Sequence, residues 1–141
     1  MENLVVDVDA SSKKFSDKKE RLKKALPLAL SYLSIEEGFL EVNLITDNEM
    51  RELNKTYRGK DEVTNVLSFE EPKDVEVGQD ELNHLGEVYI APDEIDRRKE
   101  DFIYITIHGL LHLLGFNHKN DEEAEEMENK EEEILEKISD I

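Results

Sequence analysis

The sequence predicts an α+β (mixed α/β) single domain, in which one mixed four-stranded sheet is packed with helices. Three observations point to it. The apolar patterns run strand, helix, strand, helix, two strands and then helices along the chain. The first strand–helix–strand unit is long enough for a parallel crossover, which would be right-handed. The last two strands read as antiparallel neighbours. At 141 residues the chain suits one compact domain over 1–141, with no repeat or linker.

Leu4 to Val8 reads as the first strand, alternating at Val6-Asp7-Val8. A helix follows over about 17–33, where Leu22, Ala25, Leu26, Ala29, Leu30 and Leu33 recur at helical spacing. Pro27 lies inside this pattern and should kink the helix or divide it, since it lacks a donor and clashes with the preceding turn. Phe39 to Thr46 is a second strand, with Val42 and Leu44 on one face. Thr46-Asp47-Asn48-Glu49 has the form of a capping box and opens a helix toward Tyr57. Thr64 to Phe69 and Gly86 to Ile90 are the third and fourth strands. The acidic segment between them, Glu70 to Leu85, is long for a hairpin connection. Pro92 marks a helix start. Phe102 to Leu114 is apolar nearly all round, which belongs in the middle of a domain, and Gly115 ends it. From Asp121 the chain is helical again, with Met127, Ile134, Leu135 and Ile138 as the packing stripe.

Composition narrows the function. Without cysteine there is no disulfide and no thiolate metal site, so any metal must be held by imidazole or carboxylate. The start of the chain lacks the pattern of a signal peptide, and no apolar stretch reaches the length of a membrane span. These features lead us to expect a soluble, cytoplasmic protein without a membrane partner. The formal net charge of −18 runs against non-specific nucleic-acid binding, although much of the acid is concentrated in the tail. Any nucleic acid would therefore have to be recognised at a specific site.

The segment His108-Gly109-Leu110-Leu111-His112-Leu113-Leu114-Gly115-Phe116-Asn117-His118 carries the chemistry. Histidines four apart on a helix project from one face and can meet one ion at about 2.0–2.1 Å each. Gly115 can turn the chain sharply and bring His118 back as a third ligand. Three protein ligands leave a fourth position for water, as in catalytic zinc sites. Ligand type alone does not separate zinc from nickel. A fourth protein ligand, from Asp121 or Glu122, would favour a structural ion instead. Zinc proteases carry His-Glu-x-x-His, and here Gly109 replaces the glutamate base, so amide hydrolysis by that route is not expected. His84, in the acidic segment, reads as solvated. Thr64 and Ser68, evenly spaced on one strand, read either as lining the cleft or as small polar residues on a half-exposed strand.

The histidine segment resembles the signature of the YbeY family of bacterial metal-dependent endoribonucleases. Asn54, Tyr57-Arg58, Asp61 and Thr64 to Phe69 agree with that resemblance, as do Leu85 to Ile90 and the acidic tail helix. The likeness runs from about Leu40 onward. It implies His108, His112 and His118 as ligands of one Zn2+, with Ni2+ as an alternative, and Arg58 as a functional arginine facing the metal. Residue type alone would make Arg58 an ordinary surface arginine. The resemblance further implies a bacterial cytoplasmic enzyme that cuts single-stranded RNA. Its role would be 3′-end maturation of small-subunit (16S) ribosomal RNA and ribosome quality control. The expected partners are ribosomal RNA and the small ribosomal subunit or its proteins, and not DNA. Asn117 stands where the family usually has aspartate, and Glu70 where proline is common. Two other classes remain open: a metallohydrolase on another substrate, and a ribosome-assembly factor with a structural metal.

Overall fold

The computed structural model describes residues 3–70, 84–117 and 119–138. Strand β1 (Asn3–Ala10) leads through a 3-10 turn (Lys13–Phe15) into α1 (Ser16–Tyr32), which returns the chain to β2 (Glu37–Leu44). Then come α2 (Asp47–Arg58), β3 (Val66–Glu70), β4 (His84–Ile90), α3 (Pro92–Arg97), α4 (Phe102–Leu113) and α5 (Asp121–Ile138). The sheet has the order β1-β2-β4-β3. β1 and β2 are parallel, as are β2 and β4, and β3 is antiparallel to β4. The mixed α/β domain, the parallel first crossover and the antiparallel final pair all agree with the sequence expectation.

Alternation along the strands divides the packing between two faces. Leu40, Val42 and Leu44 of β2 and Val88 and Ile90 of β4 join α1, α4 and α5 in the main core. Met50 of α2 instead packs with Ile45, Leu67 and Ala91, against which Phe69 and Tyr89 lie. On β3, Val66 belongs to the first cluster and Leu67 to the second. Helices α4 and α2 therefore lie on opposite faces of β3, which is the sheet's edge strand.

One expectation is narrowed and one corrected here. Of the kink or division expected at Pro27, division does not occur: α1 runs through it as one helix. Leu22, Leu26 and Leu30 are all fully buried, so packing on the sheet outweighs the lost backbone bond. Thr64 does not share a strand with Ser68, because β3 begins at Val66. The acidic segment flagged in the sequence falls mostly on 71–83, outside the described residues.

Candidate metal centre

Helix α4 buries Ile105, Thr106, Ile107, Gly109, Leu110, Leu111 and Leu113, which leaves His108 and His112 on its half-buried side. Asp101 caps its start by accepting from Tyr104 N–H at 2.8 Å. At the other end Phe116 N–H donates to Leu111 O at 3.0 Å and Gly115 N–H to His112 O at 3.1 Å. These are the paired bonds of a Schellman turn, and Gly115 holds the positive φ of 101° that follows the cap. The chain reversal expected before His118 is thus present; His118 itself lies outside the described residues. Asn117 turns inward on its own loop, its Oδ1 accepting from Lys119 N–H at 3.4 Å.

The two histidines face each other through Nε2, 3.1 Å apart. Two nitrogens bound tetrahedrally at about 2.05 Å would be separated by about 3.3 Å. The pair therefore fits a shared ion with almost no movement. Behind it, His108 Nδ1 lies 3.2 Å from Glu131 Oε1 on α5, and the Glu131 residue is only 2 % exposed. Tyr104, one turn before His108, stacks on its ring at 6.2 Å between centroids. The phenol of Tyr104 is pushed up to about 12, chiefly by the Glu131 carboxylate its hydroxyl faces and then by burial. Glu131 was missed in the sequence, where it is one acid among many. Its signal was its register: it falls on the stripe of Met127, Ile134 and Ile138.

The remaining sequence candidates are distributed around α4. Ser68 donates its hydroxyl to Gly109 O at 2.8 Å, tying β3 to the histidine helix. Thr64 is half-buried in the segment before β3. Arg58 is the exposed last residue of α2, on the opposite sheet face from α4. Asn54 and Asp61 shape the intervening loop: Asn54 Nδ2 donates to Glu62 O at 2.9 Å, and Arg51 Nε to Asp61 Oδ1 at 2.7 Å.

A second group of metal-binding type lies on the other face of the sheet. Glu41, His84 and Glu87 each offer a donor atom, all within 4.8 Å of one another, and could hold a metal ion. This corrects the reading of His84 as solvated. It begins β4, stacks on Phe39 at 5.3 Å and pairs with Glu41 at 3.4 Å. A register shift between Phe39 and Leu40 sets it beside Phe39. Glu41 has its carboxyl raised, first by a hydrogen bond with Glu87 and then by burial. The carboxylate pair thus favours a proton or a cation between its members.

The family model described as Endoribonuclease YbeY matches residues 6–139. The chain belongs to the YbeY family. Endoribonuclease YbeY of Francisella tularensis subsp. novicida is 33 % identical over 144 residues, covering 96 % of this chain and 89 % of its own. Its counterpart in Francisella philomiragia is 37 % identical over 123 residues, covering 81 % and 78 %. A Thermotoga maritima protein solved in solution is 27 % identical, with a TM-score of 0.63 over 94 % of this chain and 88 % of that one. This chain's fold is similar to that of the Thermotoga maritima protein. No helix among the described residues is long and apolar enough to cross a membrane.

Proposed function

We propose that this protein is a metal-dependent endoribonuclease acting on single-stranded RNA, with one zinc ion held by His108, His112 and His118. Membership of a family named for endoribonuclease activity supports the reaction class. The observation that carries the metal assignment is the opposed His108 and His112 Nε2 pair, 3.1 Å apart on a half-buried helix face. An ion bound there would supply Lewis acidity toward a phosphodiester and a water acidified toward neutral pH. Arg58 would contact the phosphate from around the β3 edge, where a planar guanidinium suits two phosphoryl oxygens. Thr64 would line the same approach. Ser68 would act mainly by holding α4. The physiological substrate we infer is the 3′ region of small-subunit ribosomal RNA, met in the bacterial cytoplasm on the assembling subunit. A surface carrying −18 overall favours basic ribosomal proteins as the docking partners.

The test is cleavage of single-stranded 16S ribosomal RNA by metal-quantified protein, with His112→Ala, His84→Ala and Arg58→Glu variants. One ion per chain is expected in the parent and in H84A, and none in H112A. Cleavage should follow the ion and should vanish in R58E with the ion retained. Equal cutting by parent and H112A would remove the metal from the reaction. An ion lost from H84A and kept by H112A would transfer it to the Glu41–His84–Glu87 group. One bound ion without cutting would favour the assembly-factor reading.

A further inference from the structure

We infer that Glu131 is a positioning residue of the metal centre: by holding His108 Nδ1 it turns Nε2 toward the ion and makes docking of α5 a condition of tight metal binding. The inference rests on the reading of His108 and His112 as ligands.

Helix α5 is acidic along most of its length, and nearly all of that charge is in solvent. Glu131 is the exception, the only carboxylate among the described residues that is fully buried. Burying a carboxylate is costly unless strong partners compensate. Its partners here come from α4, where His108 Nδ1 lies at 3.2 Å and Tyr104 stacks on the same imidazole. Neutral imidazole carries one proton. With that proton on Nδ1, donated to Glu131, the lone pair stands on Nε2, the atom that faces His112. A carboxylate behind a ligating histidine also raises its basicity and stops the ring from turning. The neighbours Met127, Ile134 and Ile138 anchor α5 in the main core, so the carboxylate reaches His108 only when the helix is seated. Ion binding and α5 docking then reinforce each other by linkage.

An ordinary buried ion pair would make a different demand: His108 protonated on both nitrogens, and no influence of Glu131 on metal. The experiment measures zinc affinity by chelator competition for the parent, Glu131→Gln, Glu131→Ala and His112→Ala, with 15N spectra of the histidines. Affinity should fall about 10–100-fold in E131A. E131Q should recover most of it, since its amide oxygen still accepts from Nδ1–H. The metal-free parent should show His108 as the Nδ1–H tautomer. Zinc should slow amide exchange across Asp121–Ile138 in the parent. Parent-like affinity in both Glu131 variants, with H112A unable to bind, would overturn the role of Glu131 alone. So would unchanged exchange in α5, even if E131A proved too unstable to purify. Failure of the parent to bind zinc would instead remove the ligand reading, and this inference with it.

Discussion

Gly109 is where the structure makes the most specific demand on the histidine helix. A Cβ at this position would lie 2.7 Å from Val66 Cγ2, with Ser68 Oγ at 3.4 Å and Val88 Cγ1 at 3.5 Å. The first distance is an overlap, and Val66 has little room to yield. It is β-branched, stiff about χ1, and set in a strand paired with β4. On helix propensity alone, Gly109→Ala would stabilise by about 1 kcal/mol. Overpacking in a filled interface costs about 1–3 kcal/mol, and stretching the Ser68–Gly109 hydrogen bond adds up to about 1 kcal/mol. The expected net effect is a loss of about 1–2 kcal/mol, or about 3–8 °C in Tm for a domain of this size. Urea unfolding of G109A, V66A and the double variant checks the mechanism. Truncating Val66 removes the opposing methyl groups, so G109A should become neutral or stabilising in that background. A higher midpoint for G109A in the parent background would refute the close-approach argument. The same displacement should weaken zinc binding, because α4 carries both histidines away from Glu131.

Replacing Pro27 with alanine restores a helix donor at an exposed position, so P27A should stabilise by about 1–3 kcal/mol in urea unfolding; a loss would mean that the ring itself packs. Ser68→Ala should cost about 1 kcal/mol of stability through the lost bond to Gly109 O. RNA cleavage measured well below the unfolding temperature should persist in S68A, and its abolition would make Ser68 a substrate contact. Glu49 has its carboxyl held below the usual 4.5, first by the Ser11 hydroxyl and then by Thr46 N–H. A depressed folded-state value gives stability that is present above about pH 4.5 and lost as pH falls through the folded value. Parent and Glu49→Gln should therefore differ at pH 7 and converge toward pH 3 in urea titrations; a constant gap would mean that the charge is irrelevant.

Much of this fold was legible because local and global signals agree. The capping box at Thr46 is present in full, with Glu49 N–H donating to Thr46 Oγ1 at 3.3 Å and Glu49 Oε1 accepting from Thr46 N–H at 3.0 Å. Gly115 turns the chain after α4 as its position implies. What was not legible depended on partners far along the chain. Pro27 stays within a single helix because of a buried leucine row that propensity does not see. His84 is drawn into the sheet by an irregularity in its own strand, where the pairing with β2 skips Leu85. Gly109 could be read chemically, as the missing base of a protease, whereas its steric reason required β3 to be in place.

Glu131 shows how such a residue can still be found. Met127, Ile134 and Ile138 recur at intervals of seven and four, and position 131 lies midway between the first two, on the same face. A charged residue within a helix's apolar stripe breaks the pattern that folding favours, and such breaks are expected at functional sites. Counting charge treats Glu131 like Glu132 and Glu133, its neighbours in solvent. Phase along the helix separates them. The acid run is therefore two things at once: a solvated surface, and one carboxylate placed behind a histidine whose other nitrogen faces the candidate metal position.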